Sequence, residues 1–89
     1  MIVRYDPDFI KKLKKVNVRI RQNFKKQIKI FGQDPNNLQL NNHPLRDEWE
    51  GYRSMDVTRD WRAIYTEKSE GDKIIAYFVA LGTHKELYK

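Results

Sequence analysis

The chain has 89 residues, a formal net charge of +6 and no cysteine, which excludes a disulfide framework and a zinc–thiolate site. Its length predicts a single domain over residues 1–89 with a small hydrophobic core. No apolar run approaches the roughly 20 residues of a membrane span, and the first residues lack the layout of a signal peptide. We therefore expect a cytoplasmic protein that has no membrane partner.

The chain begins with a predicted strand over Ile2–Tyr5. Asp6 followed by Pro7 is typical of a helix start, with Asp6 as the N-cap and Pro7 in the first helical position. Asn17 is a second N-cap, and apolar residues at helical spacing predict a second amphipathic helix over 18–31. We interpret the two helices as a hairpin that covers one face of a sheet.

Gly32 is predicted to end the second helix, with Pro35 just beyond it. Residues 33–50 are interpreted as a long ordered loop rather than a linker. Four apolar residues are expected to anchor this loop to the core: Leu38, Leu40, Leu45 and Trp49.

Three strands are predicted after the loop, over 52–57, 61–67 and 73–81, and the short turns between them make neighbouring strands antiparallel. The order β-α-α-β-β-β predicts a small α+β domain whose helices pack on one face of a mainly antiparallel sheet. Alternation places Ser54 and Asp56 on the strand face opposite Arg53. It does not decide which of these faces meets the helices.

The excess of positive charge favours contact with a polyanion, most commonly the phosphate backbone of a nucleic acid. Solubility alone is the other explanation. Basic residues crowd the first third of the chain and are expected to form a general electrostatic field; four of them represent it: Lys11, Lys14, Lys25 and Lys29. Arg53 and Arg62, which lie among aromatic residues, look more like a site, because the guanidinium fork recognises phosphate with defined geometry.

His84 and Tyr88, which follow the last predicted strand, are four residues apart and would share one face of a helical turn. An imidazole that passes a proton near neutral pH, beside a basic surface, suggests chemistry on a phosphate ester. The alternative is that His84 caps the turn and Tyr88 packs on the sheet. No set of histidines or carboxylates has metal-ligand spacing and no glycine-rich phosphate loop is present, so neither a metal nor another cofactor is expected.

Further polar residues could complete an acid–base set: His43, Asp56, Asp60 and Arg62. Each has a structural alternative. His43 could be a hydrogen-bonding loop residue, Asp60 could cap a turn, and Arg62 could pair with a surface acid.

Four segments in the second half of the chain form a specific combination: NHPL (42–45), WEGYR (49–53), DWRAIY (60–65) and LGTHKELY (81–88). Together they resemble the RelE/YafQ/YoeB superfamily, the toxins of type II toxin–antitoxin pairs, and most closely its YafQ-like branch. The first 37 residues agree with this family only in the order of their helices and strands.

The resemblance implies a microbial-RNase-like fold and a ribosome-dependent mRNA endoribonuclease that cuts without a metal. In that reaction the 2′-hydroxyl attacks its own phosphate and leaves a 2′,3′-cyclic phosphate and a 5′-hydroxyl. The chemistry needs a general base, a general acid and cations at the phosphate. The implied partners are the ribosome, mRNA and a cognate antitoxin, expected to be acidic and partly disordered when alone.

The resemblance also implies roles for individual residues. His43 matches the position of the proposed base, Asp60 an active-site aspartate, and Arg62 an arginine that contacts the phosphate. His84 matches the histidine proposed as the acid, and Tyr88 an aromatic residue that positions the substrate.

Asp56 departs from the pattern, because YafQ-like members carry a further histidine there. The general base is therefore open between His43, Asp56 and Asp60. Arg53 is expected to be an additional phosphate contact.

Two other functions are compatible with the resemblance. One is a ParE-like toxin that binds DNA gyrase and has no nuclease activity. The other is a decayed toxin that only binds its antitoxin. The retained set of acid–base residues favours the nuclease, because a binding module has no need of it.

Overall fold

The computed structural model describes residues 1–88. Along the chain lie β1 (Ile2–Tyr5), α1 (Pro7–Lys15), α2 (Val18–Gln33), β2 (His43–Pro44), β3 (Tyr52–Asp56), β4 (Trp61–Glu70), β5 (Lys73–Thr83) and α3 (His84–Leu87). Short 3-10 turns at Leu38–Leu40 and Asp47–Trp49 flank β2 in the long loop. No helix among these residues has both the length and the apolar character needed to cross a membrane.

The strands form one mixed five-stranded sheet in the order β1-β5-β4-β3-β2. β1 runs parallel to β5, and the remaining neighbours are antiparallel. The predicted α+β fold with a mainly antiparallel sheet is therefore confirmed.

Local sequence signals fix the starts of the first two helices as predicted. The Asp6 carboxylate accepts a hydrogen bond from the backbone N–H of Asp8 at 2.8 Å, and the Asn17 side chain accepts one from the N–H of Ile20 at 3.0 Å. Arg21 closes α1 by donating to the carbonyls of Lys14 and Val16. This arginine of the basic stretch therefore has a structural role.

The main core lies between α1, α2 and one face of the sheet. Phe9, Phe24 and Phe31 from the helices surround Phe78 of β5, and Tyr65 of β4 adds a further ring. The centroids of these four rings lie 5.0 to 6.0 Å from that of Phe78. Packing of tilted and edge-on aromatic rings contributes stability beyond the area it buries.

A bulge in β5 sets which residues face the helices. Tyr65 pairs with Phe78 and Ile64 with Ala80, so Val79 is an extra residue between the two pairs. The bulge lets Phe78 and Leu81 both face the helical core. It also turns Gly82 to the opposite face of the sheet.

The predicted hairpin of α1 and α2 covers one face of the sheet, and α3, a further short helix, lies on the opposite face. A side-chain carbon at Gly82 would come within 3.3 Å of the Leu87 side chain, so glycine here lets α3 fold closely back over the sheet. Ser54 and Ile64, fully buried, belong to this second face. The last strand also runs two residues beyond its predicted range of 73–81, because Gly82 and Thr83 pair with the start of β4.

Three further expectations about the middle of the chain are corrected. α2 continues through Gly32 to Gln33, and Asp34 caps it through a bond from its N–H to the Ile30 carbonyl. Leu38 is 95% exposed and anchors nothing, whereas Leu40 is fully buried. The loop also contains the short strand β2, which the sequence pattern did not indicate.

Candidate active site

An open cleft of about 320 Å³ lies on the α3 side of the sheet. Six residues line it: Asn41, His43, Leu45, Arg62, His84 and Tyr88. Four of them belong to the set of five predicted catalytic residues, although they come from β2, β4 and the C-terminal segment. The fifth, Asp60, is not part of the cleft wall.

His43 lies on β2 at the edge of the sheet, directly opposite Ser54 of β3. Its Nδ1 is 2.8 Å from the carbonyl oxygen of Asn41. A carbonyl can only accept a hydrogen bond, so Nδ1 carries the proton. In the neutral imidazole, Nε2 is therefore the atom with the available lone pair.

Asn41 supplies this carbonyl from a left-handed conformation, with φ of 47°. Asparagine tolerates this region better than most residues because its short side chain can hydrogen-bond locally. This conformation ends the 3-10 turn at Leu38–Leu40 and directs the Asn41 carbonyl toward His43, two residues later.

Arg62 stands directly across the β3–β4 pair from Asp56. Its Nε lies 3.0 Å from Asp56 Oδ1, and both side chains are mostly shielded from solvent. The contact is one of charge rather than a well-directed hydrogen bond, because this buried oxygen accepts no hydrogen bond from residues 1–88. Nη1 donates to three carbonyls of the adjoining turn, those of Thr58, Arg59 and Trp61.

His84 and Tyr88 face the same way, as the spacing predicts, with ring centroids 4.6 Å apart. The Tyr88 hydroxyl donates to the hydroxyl of the buried Ser54 at 3.1 Å. Thr83, not His84, caps α3: its side chain accepts from the Glu86 N–H, and the Glu86 carboxylate accepts from the Thr83 N–H. The His84 side chain is thus not used as a cap.

Asp60 adjoins His84 from outside the cleft. Its backbone carbonyl accepts from the N–H of His84 at 3.0 Å. Its side chain lines a neighbouring depression together with Thr83, His84 and Lys85. Asp60 is therefore placed to support His84 but not to reach the middle of the cleft.

Arg53 does not join the site. It lies on the helix side of the sheet, where its Nε donates to the Asn42 side chain at 2.9 Å. Asn42 in turn donates to the Tyr65 hydroxyl and the Pro35 carbonyl. Arg53 thus ties the loop to the sheet, and any phosphate that it contacted would lie on the face opposite the cleft.

The four lysines predicted to contact RNA are all exposed on α1 and α2: Lys11, Lys14, Lys25 and Lys29. None of them takes part in an ion pair among residues 1–88. The helices carrying them cover the face of the sheet opposite the cleft. The basic field and the cleft thus lie on different sides of the molecule.

Ser54 and Asn41 are site residues that the sequence did not single out. Alternation with Asp56 was the available signal for Ser54, since the two share a strand face. Asn41 acts through a backbone hydrogen bond, which leaves no pattern in a single sequence.

One pKa shift arises beside the site and another in the core. A hydrogen bond from the backbone N–H of Thr83, reinforced by Lys12, holds the pKa of Glu86 below its usual value of 4.5. Burial raises the pKa of the Tyr65 hydroxyl, against the opposing effect of its hydrogen bond from Asn42. No three histidine or carboxylate side chains within residues 1–88 cluster closely enough to hold a metal ion.

Comparison with solved structures places the fold among bacterial toxins. YafQ from Escherichia coli is 27% identical, with a TM-score of 0.76 over 98% of this chain and 97% of that chain. The DinJ–YafQ complex from E. coli contains a chain 26% identical, with a TM-score of 0.63 and the same coverage. A YoeB/ParE toxin from Agrobacterium tumefaciens is 16% identical, with a TM-score of 0.74 over 94% of this chain and 99% of that chain, and shows the fold alone.

No curated protein sequence matches the chain significantly. The family profile described as the bacterial toxin of a type II toxin–antitoxin system, YafQ, matches residues 2–89. This match extends over nearly the whole chain, including the first 37 residues, which contain none of the sequence motifs that carried the resemblance. The chain therefore belongs to the YafQ family of toxins from bacterial type II toxin–antitoxin systems.

Proposed function

We propose that this toxin is a single-domain, cytoplasmic mRNA endoribonuclease that acts on the ribosome and needs no metal. The observation that carries the proposal is the cleft, whose wall contains two imidazoles, one guanidinium and one phenol. These groups match what transfer of a phosphate from a 5′-oxygen to a 2′-oxygen requires.

His43 is the proposed general base. Its Nδ1 proton is held by the Asn41 carbonyl, which leaves Nε2 to accept the proton of the 2′-hydroxyl. Asp56 is less suited to this task, because its carboxylate is already engaged by Arg62. Asp60 lies outside the cleft wall.

Arg62 is the proposed phosphate ligand. Its Nε and Nη1 are fixed by Asp56 and the turn carbonyls, and among residues 1–88 its Nη2 has no hydrogen-bond acceptor. A cation fixed before the substrate binds needs no reorganisation as charge builds on the phosphorane.

His84 is the proposed general acid, and Tyr88 positions it and the substrate. In the reaction the O2′–P bond forms while the P–O5′ bond breaks. His43 takes the 2′-hydroxyl proton, and protonated His84 gives one to the departing 5′-oxygen. The products are a 2′,3′-cyclic phosphate and a 5′-hydroxyl, as the resemblance to the family implies.

Mapping of mRNA 5′ ends after induced expression tests the nuclease proposal. We expect codon-associated cuts that bear 5′-hydroxyl groups and that disappear in His84→Ala. In a reconstituted assay, cutting should survive EDTA once intact ribosomes are verified. Ends bearing 5′-phosphate, or growth arrest with gyrase inhibition and no cleavage, would reject the nuclease in favour of another mechanism.

An acidic antitoxin is the expected partner. The net charge of +6 and the exposed lysines of α1 and α2 would attract it, and the similar E. coli protein is found in a DinJ–YafQ complex. A disordered segment that folds on binding suits such a surface. Co-expression with the adjacent reading frame should restore growth and yield a stable complex; a protein that is harmless alone and captures no small partner would contradict the toxin role.

A further inference from the structure

α3 is a single turn of four residues, too short to be stable by itself. It nevertheless carries His84, and Tyr88 follows it directly. Its position must therefore be imposed by contacts from other parts of the chain.

The start of α3 is well secured. The Thr83–Glu86 capping box satisfies its first N–H groups, and the N–H of His84 is bonded to the Asp60 carbonyl. A more distant contact links Lys12 of α1 to Glu86 at 3.4 Å, between two partly exposed side chains. Such exposed pairs contribute little.

Besides the hydrogen bond between Tyr88 and Ser54, a second side chain holds the end of α3. The indole N–H of Trp49 donates to the carbonyl of Leu87 at 3.0 Å, one of the carbonyls that a helix end leaves without an intrahelical partner. Trp49 is itself half-buried and packs edge-on against Tyr52, with ring centroids 5.4 Å apart. The donor therefore comes from a fixed ring and not from a mobile side chain.

We propose that Trp49 is a positioning residue that clamps the C-terminal turn, so that His84 and Tyr88 keep their places in the cleft. Trp49 does not line the cleft itself. It lines the adjoining depression with Leu87 and Tyr88. This inference rests on the proposed nuclease function for its catalytic consequence, but the clamp itself can be measured without that activity.

Trp49→Phe tests the clamp, because it keeps an aromatic ring and removes the N–H donor. Trp61→Phe is the matched control: its ring packs near the Lys12 ammonium at 5.8 Å, and within residues 1–88 its indole N–H makes no hydrogen bond. In multiple-turnover assays on programmed ribosomes, we expect kcat of Trp49→Phe to fall on the order of 10- to 100-fold at nearly unchanged KM. The control should stay close to the unsubstituted protein.

Hydrogen exchange provides the second readout. The Tyr88 amide donates to the His84 carbonyl at 3.0 Å, so its protection reports whether α3 is formed. We expect Trp49→Phe to lose this protection while the core amides of β4 and β5 and the Tm match those of Trp61→Phe. Unchanged Tyr88 protection, or a kcat no lower than that of the control, overturns the proposal.

The test remains decisive if Trp49→Phe folds poorly or if the unsubstituted toxin cuts no mRNA. If Trp49→Phe folds poorly, benzothienylalanine at position 49 removes only the N–H and keeps the shape of the ring system, and the same two outcomes apply to it. If the unsubstituted toxin cuts no mRNA, the proposed function fails. The Tyr88 exchange rates then still decide whether Trp49 holds α3.

Discussion

Arg62 enters the cleft with most of its guanidinium already engaged. Asp56 Oδ1 lies 3.0 Å from Nε, and Nη1 is bonded to the carbonyls of the turn that precedes β4. Such a group behaves as a fixed cation at one edge of the cleft. Because Nη1 is bonded to carbonyls of the turn at 58–60, the shape of this turn helps to hold Arg62 in place.

Arg62→Lys should lower the cleavage rate about 10²-fold or more, because an ammonium cannot contact Asp56, the turn carbonyls and a phosphate together. Arg59→Ala is the control: it removes one positive charge from the adjoining turn but keeps the carbonyl that Arg62 uses, whereas Arg62→Lys leaves the net charge unchanged. Single-turnover cleavage measures both. An Arg62→Lys variant that cuts as fast as the unsubstituted protein would reduce Arg62 to a contributor to net charge.

His43→Ala should slow cleavage by about 10²–10⁴-fold, and added imidazole should restore part of the rate by entering the vacated space. Asn41→Gly is expected to retain activity, because glycine adopts the left-handed conformation easily and only the Asn41 backbone carbonyl contacts His43. Normal cleavage by His43→Ala, combined with a large loss in Asp56→Asn, would transfer the role of base to Asp56.

At the scale of helices and strands, the sequence predicted what is determined locally. Asp6 and Asn17 cap their helices through bonds that span two or three residues, and such short-range signals can be read along the chain. β2 was missed because it exists only through its pairing with β3 and forms no pattern of its own. The helical turn at His84 has a local signal in its capping box, but its place on the sheet depends on distant contacts such as the one with Trp49.

As with the fold, only part of the site could be predicted from the sequence. The resemblance identified His43, Arg62, His84 and Tyr88 without any knowledge of the cleft that they line. Arg53 could have been set aside from the sequence, since alternation already placed it on the strand face opposite Asp56. The pairing of Asp56 with Arg62 could not be predicted, because the register of β3 and β4 depends on the whole sheet.

Acid should loosen α3 because Glu86 closes its capping box. Its pKa is lowered by the Thr83 N–H, so the ionised carboxylate stabilises the folded turn. This contribution is present above the ordinary value of 4.5 and is lost as the pH falls through the lowered pKa. The Tyr88 amide protection factor should therefore fall at acid pH in the unsubstituted toxin.

Glu86→Gln should remove this pH dependence, because a glutamine amide oxygen still accepts from the Thr83 N–H at every pH. Glu48→Gln, an exposed glutamate in the neighbouring 3-10 turn, should retain it. NMR exchange at several pH values distinguishes the two. The same acid-induced loosening in Glu86→Gln would mean that another group controls α3.

On the scale of the whole molecule, the sheet separates two surfaces of different character. One side carries the helices and their exposed lysines, and the other carries the cleft. A substrate strand in the cleft would therefore not touch Lys11, Lys14, Lys25 or Lys29, whereas Lys12 reaches α3 through Glu86. If these lysines bind RNA, that RNA is not the strand that is cut. Ribosomal RNA around a bound toxin would be such a second contact.

This arrangement predicts that ribosome binding and cleavage can be separated. Lys11→Glu with Lys14→Glu should weaken ribosome association and make it less sensitive to salt, since each lost phosphate contact reduces the slope of log K against log salt by about 0.7 to 0.9. Cleavage at saturating ribosome should change little. Lys68→Glu with Lys73→Glu, near the far end of the β4–β5 hairpin, alters the net charge equally and serves as the control. Because only position differs between the pairs, equal weakening by both would show that net charge alone, and not a binding surface on α1, attracts the toxin to the ribosome.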